Sequence, residues 1–162
     1  MNDGTSTAIK RIVVGLDGSR ASGAALGWAI DLARGMGSEV IAVHAIDLPA
    51  PYSQPYVAPV KVNEEWRRRV RAEFEDVWCA PLRVAGIRHR MVMDDGRAAS
   101  VIRRVANSNS ADIIVVGRRG RSESAEVILG SVSHDLVLRS TIPVLVIEPE
   151  PAARGKRKHR AA

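Results

Sequence analysis

The chain has 162 residues, 46% of them hydrophobic and 26% charged. That suffices for one domain with a sizeable core and excludes a disordered chain. The formal net charge is +6, but Arg154, Lys156, Arg157, Lys158 and Arg160 all lie in the tail RGKRKHR. Without them, 19 Lys and Arg face 18 Asp and Glu, so the body is near neutral and an extended basic nucleic-acid surface is excluded. Cys79 is the single cysteine and cannot form an internal disulfide. No signal-peptide pattern leads the chain, and no apolar run approaches the about 20 residues of a membrane span. These features read as a cytoplasmic protein without a membrane segment.

Residues 1–9 read as a loose leader, 10–149 as one domain and 150–162 as a basic, disordered tail. The tail is either a solvated end or a weak, salt-sensitive contact for nucleic acid. Ile12 to Leu16 is a short apolar strand. Asp17-Gly18-Ser19 ends it and starts a helix, with Ser19 as N-cap. Leu26 and Ile30 share one face of that helix, with Ala25, Ala29 and Ala33 beside them. The glycines of Gly35–Gly37 close it. They resemble the start of a dinucleotide fingerprint but follow a helix, and Val40 stands where the third glycine belongs.

Glu39 to Ala45 is a second strand. From Ile46 to Val60 four prolines forbid a central strand or helix. This long loop either folds over a ligand or serves as a variable connection. Lys61 to Ala80 reads as one long helix with Trp66, Val70, Phe74 and Val77/Trp78 as its buried stripe. Cys79 reads as an ordinary helix residue. Ile87 to Met93 is a weaker, alternating strand suited to a sheet edge. Asp94-Asp95-Gly96 reads as a turn that caps a helix over Arg97 to Asn107.

A fourth strand, Ile113 to Val116, stops at Gly117. Gly120 follows, Gly130-Ser131 lies ten residues further, and a helix carrying Val132 and Leu136 ends near Arg139-Ser140. Strand, glycine loop and helix start form a geometry suited to phosphate. Glycines let backbone approach an anion, and a helix N-terminus offers unpaired N–H groups. The alternative is an ordinary strand–loop–helix connection. Val144 to Ile147 is the last strand, bounded by Pro143 and Pro149. Strict alternation of five strands and four helices calls for a parallel sheet covered on both faces. Ligands of such sheets bind at the carboxyl ends of strands where the order reverses.

Gly117-x-x-Gly120, nine residues and Gly130-Ser131 have the spacing of the ATP-binding branch of the universal stress proteins. The segments VVGLDGS, VIAVHAID and PVLVIEP also resemble that family, over about residues 10–149. The resemblance implies a three-layer α/β sandwich of the adenine nucleotide alpha hydrolase-like kind, with strand order 3-2-1-4-5, and a homodimer. It implies that ATP, with Mg as a possible companion, lies against Gly15, Leu16, Asp17, Ala45, Val116 and Gly117. It places Gly120, Arg121, Ser122, Gly130, Ser131 and Val132 around the phosphates. Asp17 would serve ribose or base, and Ala45 would meet adenine through its main chain. Arg118 and Arg119 either neutralise phosphate or decorate the surface. Glu123 and Glu126 either point outward, hold magnesium, which prefers oxygen ligands, or, if they face in, oppose the anion.

No G-x-x-x-x-G-K-[S/T] is present, so the chain is not a P-loop enzyme. His44, His89 and His134 offer neither metal-ligand spacing nor an evident base. The leading expectation is therefore a cytoplasmic regulator in which ATP alters a partner surface. The alternatives are a slow ATPase or phosphotransferase, and an interaction module without functional nucleotide. Val144–Ile147, apolar and at the sheet edge in the implied order, is the expected dimer seam.

Overall fold

The computed structural model describes residues 8–47, 64–120 and 129–149. Five parallel strands form one sheet in the order β3-β2-β1-β4-β5: β1 (Arg11–Gly15), β2 (Glu39–Ile46), β3 (His89–Asp95), β4 (Ile113–Gly117) and β5 (Val144–Ile147). This is the order the resemblance implied. The middle strand is buried along its length beyond Arg11, and Ile12, Val13 and Val14 are completely buried. Alternate β1 residues serve opposite faces. Ile12 and Val14 join α1 (Arg20–Met36) in one core layer, while Val13 joins α4 (Ala98–Ser108) and α5 (Ser131–Arg139) in the other. Helix, sheet and helix make the three layers. The helix layer changes side where β1 meets β4, which is the switch point.

The first helix starts and stops as its residues demand. Ser19 Oγ accepts the Ser22 N–H at 3.1 Å, and Gly37 closes the helix with φ of +69°, a conformation that costs glycine little. α1 buries Ala21, Ala25, Leu26, Ala29, Ile30 and Ala33. Small residues on that face bring its axis close to β4.

The segment after β2 departs from the sequence reading. The expectations for residues 48–63 lie outside the described residues. From Glu64 the chain forms α2 (Glu64–Ala72), a π-helical turn (Glu73–Trp78) and α3 (Ala80–Val84), not one regular helix to Ala80. Pro81 lies in the first turn of α3, where its missing N–H costs nothing. The Cys79 N–H reaches back five residues to the Phe74 carbonyl at 3.0 Å. The wider turn shifts the side-chain period after Phe74, so the expected stripe is buried only in part, with Trp78 partly buried against the core. Phe74 is buried, but Trp66 is 44% and Val77 is 63% exposed. Cys79 and Leu82 take the inward positions instead.

Burial, the dominant effect, pushes the Cys79 thiol up to about 11; the Glu75 carboxylate adds to this, and Arg83 opposes it. A thiolate-selective reagent at pH 8 is therefore expected to leave Cys79 unmodified in the native protein and to label it once urea unfolds the chain. Because the folded value is the higher one, the native state retains a proton that the unfolded state loses. Stability from this group is full below about 9 and is lost as pH rises toward about 11. Urea midpoints that fall over this window, with a shallower fall in Cys79→Ala, would bear this out; immediate labelling of the native thiol would contradict it.

Strand β3 is an edge strand as expected, but it begins at His89 and continues through Asp94 and Asp95. Those carboxylates neither form the turn nor cap the next helix, whose N-cap is Arg97 without a side-chain bond. They are held by cations from neighbouring elements, Asp94 by Arg104 at 2.7 Å and Asp95 by Arg67 at 3.0 Å. The Arg104 hydrogen bond, followed by the Asp95 N–H, pulls the Asp94 carboxyl below its usual range. Among the described residues no helix is long and apolar enough to cross a membrane.

Candidate functional site at the sheet switch point

The end of β1 builds the first wall. The Leu16 N–H donates to the Val43 carbonyl at 2.8 Å, keeping the chain beside β2. His44 Nδ1 donates to the Leu16 carbonyl at 2.8 Å. The His44 ring packs edge-on against Trp78, with centroids 5.0 Å apart. The chain then turns at Gly18, whose φ is +78°. Asp17 Oδ1 accepts the Ser19 N–H at 3.0 Å. The carboxylate is thus oriented by the same turn that caps α1.

The second wall is the glycine loop. A Cβ on Gly117 would lie 2.6 Å from the Ala21 carbonyl carbon, so Gly117 is required by the packing of α1 against β4. A Cβ on Gly120 would lie 2.7 Å from Asp17 Oδ2, so this glycine lets the loop lie against the carboxylate. Gly130 returns the chain, its N–H donating to the Arg118 carbonyl at 2.8 Å. Ser133, buried in α5, donates its hydroxyl to Arg118 O at 2.8 Å and to Gly130 O at 3.0 Å. The two ends of the loop are therefore tied at their base. α5 starts at Gly130 with no side-chain cap, which leaves its first N–H groups without a side-chain acceptor.

These parts enclose a cavity of about 360 Å³ at the carboxyl ends of β1, β2 and β4, within the range of about 300–1,000 Å³ usual for small-molecule sites. Gly15, Leu16, Asp17, Ala45, Val116, Gly117, Gly120, Gly130, Ser131 and Val132 all line it. Every site residue named from the sequence that is described is thus brought to one place. Arg121, Ser122, Glu123 and Glu126 lie outside the described residues. Sequence reasoning missed the α4 wall, Ala98 and Ile102. Ile102 Cδ1 would sit 2.7 Å from a Cβ on Gly15. The four-residue spacing of this pair at the start of a helix was the available signal.

The two loop arginines differ. Arg118 forms an ion pair with Glu148, without hydrogen-bond geometry at its Nε. Arg119 Nε is buried with no hydrogen-bond partner among the described residues, and the residue lines the cavity. A buried donor without an acceptor is costly, and an oxyanion beside it would remove that cost. One cavity thus combines an oriented carboxylate, an unmatched guanidinium donor and an uncapped helix start.

The fold and this crevice define an open α/β protein with a small-molecule cleft at the switch point. The family model described as "Universal stress protein family" matches residues 8–148, and the chain belongs to that family. Universal stress protein MJ0531 of Methanocaldococcus jannaschii is 30% identical over 147 residues, covering 86% of this chain and 82% of that protein. Universal stress protein YxiE of Bacillus subtilis is 30% identical over 144 residues, covering 85% and 97%. Among solved structures, universal stress protein UspA from Lactobacillus plantarum superposes with a TM-score of 0.73 at 24% identity, covering 86% of this chain and 97% of that one. A universal stress protein in complex with cAMP gives a TM-score of 0.67 at 24% identity, covering 88% and 98%. The Archaeoglobus fulgidus protein in complex with dAMP gives 0.58 at 23%, covering 86% and 98%.

Proposed function

We propose that the switch-point crevice binds ATP, and that the chain is a homodimeric, cytoplasmic stress-response regulator whose nucleotide state controls a partner surface. The observation that carries the reading is Arg119, whose Nε has no acceptor among the described residues, lining the same cavity as Asp17, Gly120 and the uncapped start of α5. The residues fit a nucleotide. Asp17 serves ribose hydroxyls, Ala45 lies on the adenine side, and Gly120, Arg119 and Gly130 to Val132 serve phosphates. Arg121 and Ser122 extend the phosphate set by their place in the glycine motif. A magnesium ion would add charge compensation at the phosphates. The adenine nucleotides held by two proteins of the same fold, cAMP and dAMP, support the choice of base.

Isothermal titration with ATP is expected to give saturable heat at one site per chain. A folded protein that gives none at millimolar nucleotide would sink the reading.

The dimer is proposed through β5. One side of that strand pairs with β4 and the other is a sheet edge. Val144, Leu145 and Val146 are only partly buried, and an apolar edge favours pairing with a two-fold mate. Sedimentation is expected to show a dimer that Val146→Lys converts to monomer. A monomeric wild-type protein would contradict the proposal.

A further inference from the structure

A second concavity, of about 310 Å³, lies between the outer face of α4 and the end of α5, and shares no residue with the switch-point crevice. α4 contributes Ser100, Arg103, Arg104 and Asn107. Their spacing of three, one and three residues places all four on one stripe, opposite the buried Val101 and Val105. The end of α5 contributes Arg139, Ser140 and Thr141. Three arginines thus line one hollow, and among the described residues no Asp or Glu does.

The charges are not equally compensated. Arg104 is held by Asp94 at 2.7 Å, and Arg139 by Asp135 at 2.9 Å, both acids outside the lining. Arg103 is partly buried, and among the described residues no carboxylate pairs with it. The carbonyl end of α5 offers only about half a negative charge, spread over groups that Arg139 already faces in the last turn. Three arginines against two carboxylates leave one positive charge, which the carbonyl ends of α5 and α4 offset in part. The Ser140 hydroxyl is committed to its own turn, donating to Ile142 O at 2.7 Å; Ser100 and Thr141 supply the other hydroxyls of the lining.

We propose that this cleft is an anion site for a small, phosphoryl-rich ligand of the pyrophosphate class, with Arg103 as its principal anchor. Guanidinium forks match phosphoryl oxygens in geometry as well as charge, and the Ser100 and Thr141 hydroxyls add donors for a ligand that carries many oxygens. The site is independent of the crevice proposed for ATP.

Titration calorimetry with inorganic pyrophosphate tests it on the full chain, using wild type, Arg103→Gln and Arg119→Ala. Arg103→Gln removes the charge but keeps a polar side chain of similar helix preference, and an unchanged urea midpoint would show that α4 is intact. The expected result is binding by wild type that weakens about tenfold or more in Arg103→Gln and persists in Arg119→Ala. It should also weaken as salt rises. Absence of binding, equal binding by Arg103→Gln, or loss only in Arg119→Ala would overturn the proposal. Citrate binding as tightly as pyrophosphate would overturn the phosphoryl assignment. The variants separate the cavities for both ligands: Arg119→Ala should weaken ATP and spare pyrophosphate, Arg103→Gln the reverse, so either proposal can fail alone.

Discussion

Gly117→Ala is expected to destabilise the fold by about 3 kcal/mol, the upper part of the usual range for overpacking. For a domain of this size that is a loss of about 6–12 °C in Tm. The added methyl would meet Ala21 at its carbonyl carbon, Cβ and carbonyl oxygen, at 2.6, 2.7 and 2.8 Å. Two of those atoms are backbone, so no rotamer change relieves the clash. α1 cannot simply move outward, because Ala25, Leu26, Ala29 and Ile30 hold it to the sheet. Urea unfolding of wild type and variant measures the effect, and a difference under about 0.5 kcal/mol would contradict the packing role. Gly120→Ala makes the useful contrast. Among the described residues its methyl would meet only the Asp17 carboxylate, a side chain able to rotate, so little stability should be lost while the site is disturbed. A Gly117 variant is accordingly a poor probe of binding, since it tests the scaffold first.

Asp17→Ala is expected to weaken ATP about 10- to 100-fold, the range for losing a hydrogen bond to a charged group. It also removes the acceptor of the Ser19 N–H, so the urea midpoint should be recorded beside the affinity. Arg119→Ala provides the second axis. If Asp17 serves ribose, its loss should weaken ATP and adenosine alike. If Arg119 serves phosphate, its loss should weaken ATP about tenfold and leave adenosine nearly unchanged. Equal effects of Arg119→Ala on both ligands would contradict its placement at the phosphates. Unchanged ATP affinity in Asp17→Ala would remove the carboxylate from the site.

Much of the fold was legible because its signals were local and redundant. The apolar cores of β1, β2 and β4, Ser19 before α1 and Gly37 after it each satisfy a backbone requirement close to their own position. The helix before β3 was not legible from the 3.6-residue period, because a π turn at Glu73–Trp78 moves the inward face from Val77 to Cys79 and Leu82. Asp94 and Asp95 read as a turn because acids are rare in strands, yet the edge position of β3 leaves them free to meet Arg104 and Arg67.

At the crevice, the glycine spacing located the loop but not the reason for each glycine. Gly117 answers to α1, Gly120 to Asp17, and Gly130 to the backbone of Arg118 and Arg119. The difference between Arg118 and Arg119 was also hidden. It depends on Glu148, which reaches the loop only because β5 lies beside β4.

The most direct measurement is amide chemical-shift mapping of the full chain during an ATP titration. The expected result is saturable shifts concentrated at Leu16, Asp17, Gly117 to Gly120 and Gly130 to Val132. Shifts absent at saturating ATP, or concentrated at Ser100 to Asn107 and Arg139 to Thr141 instead, would contradict the assignment of the nucleotide to the switch-point crevice.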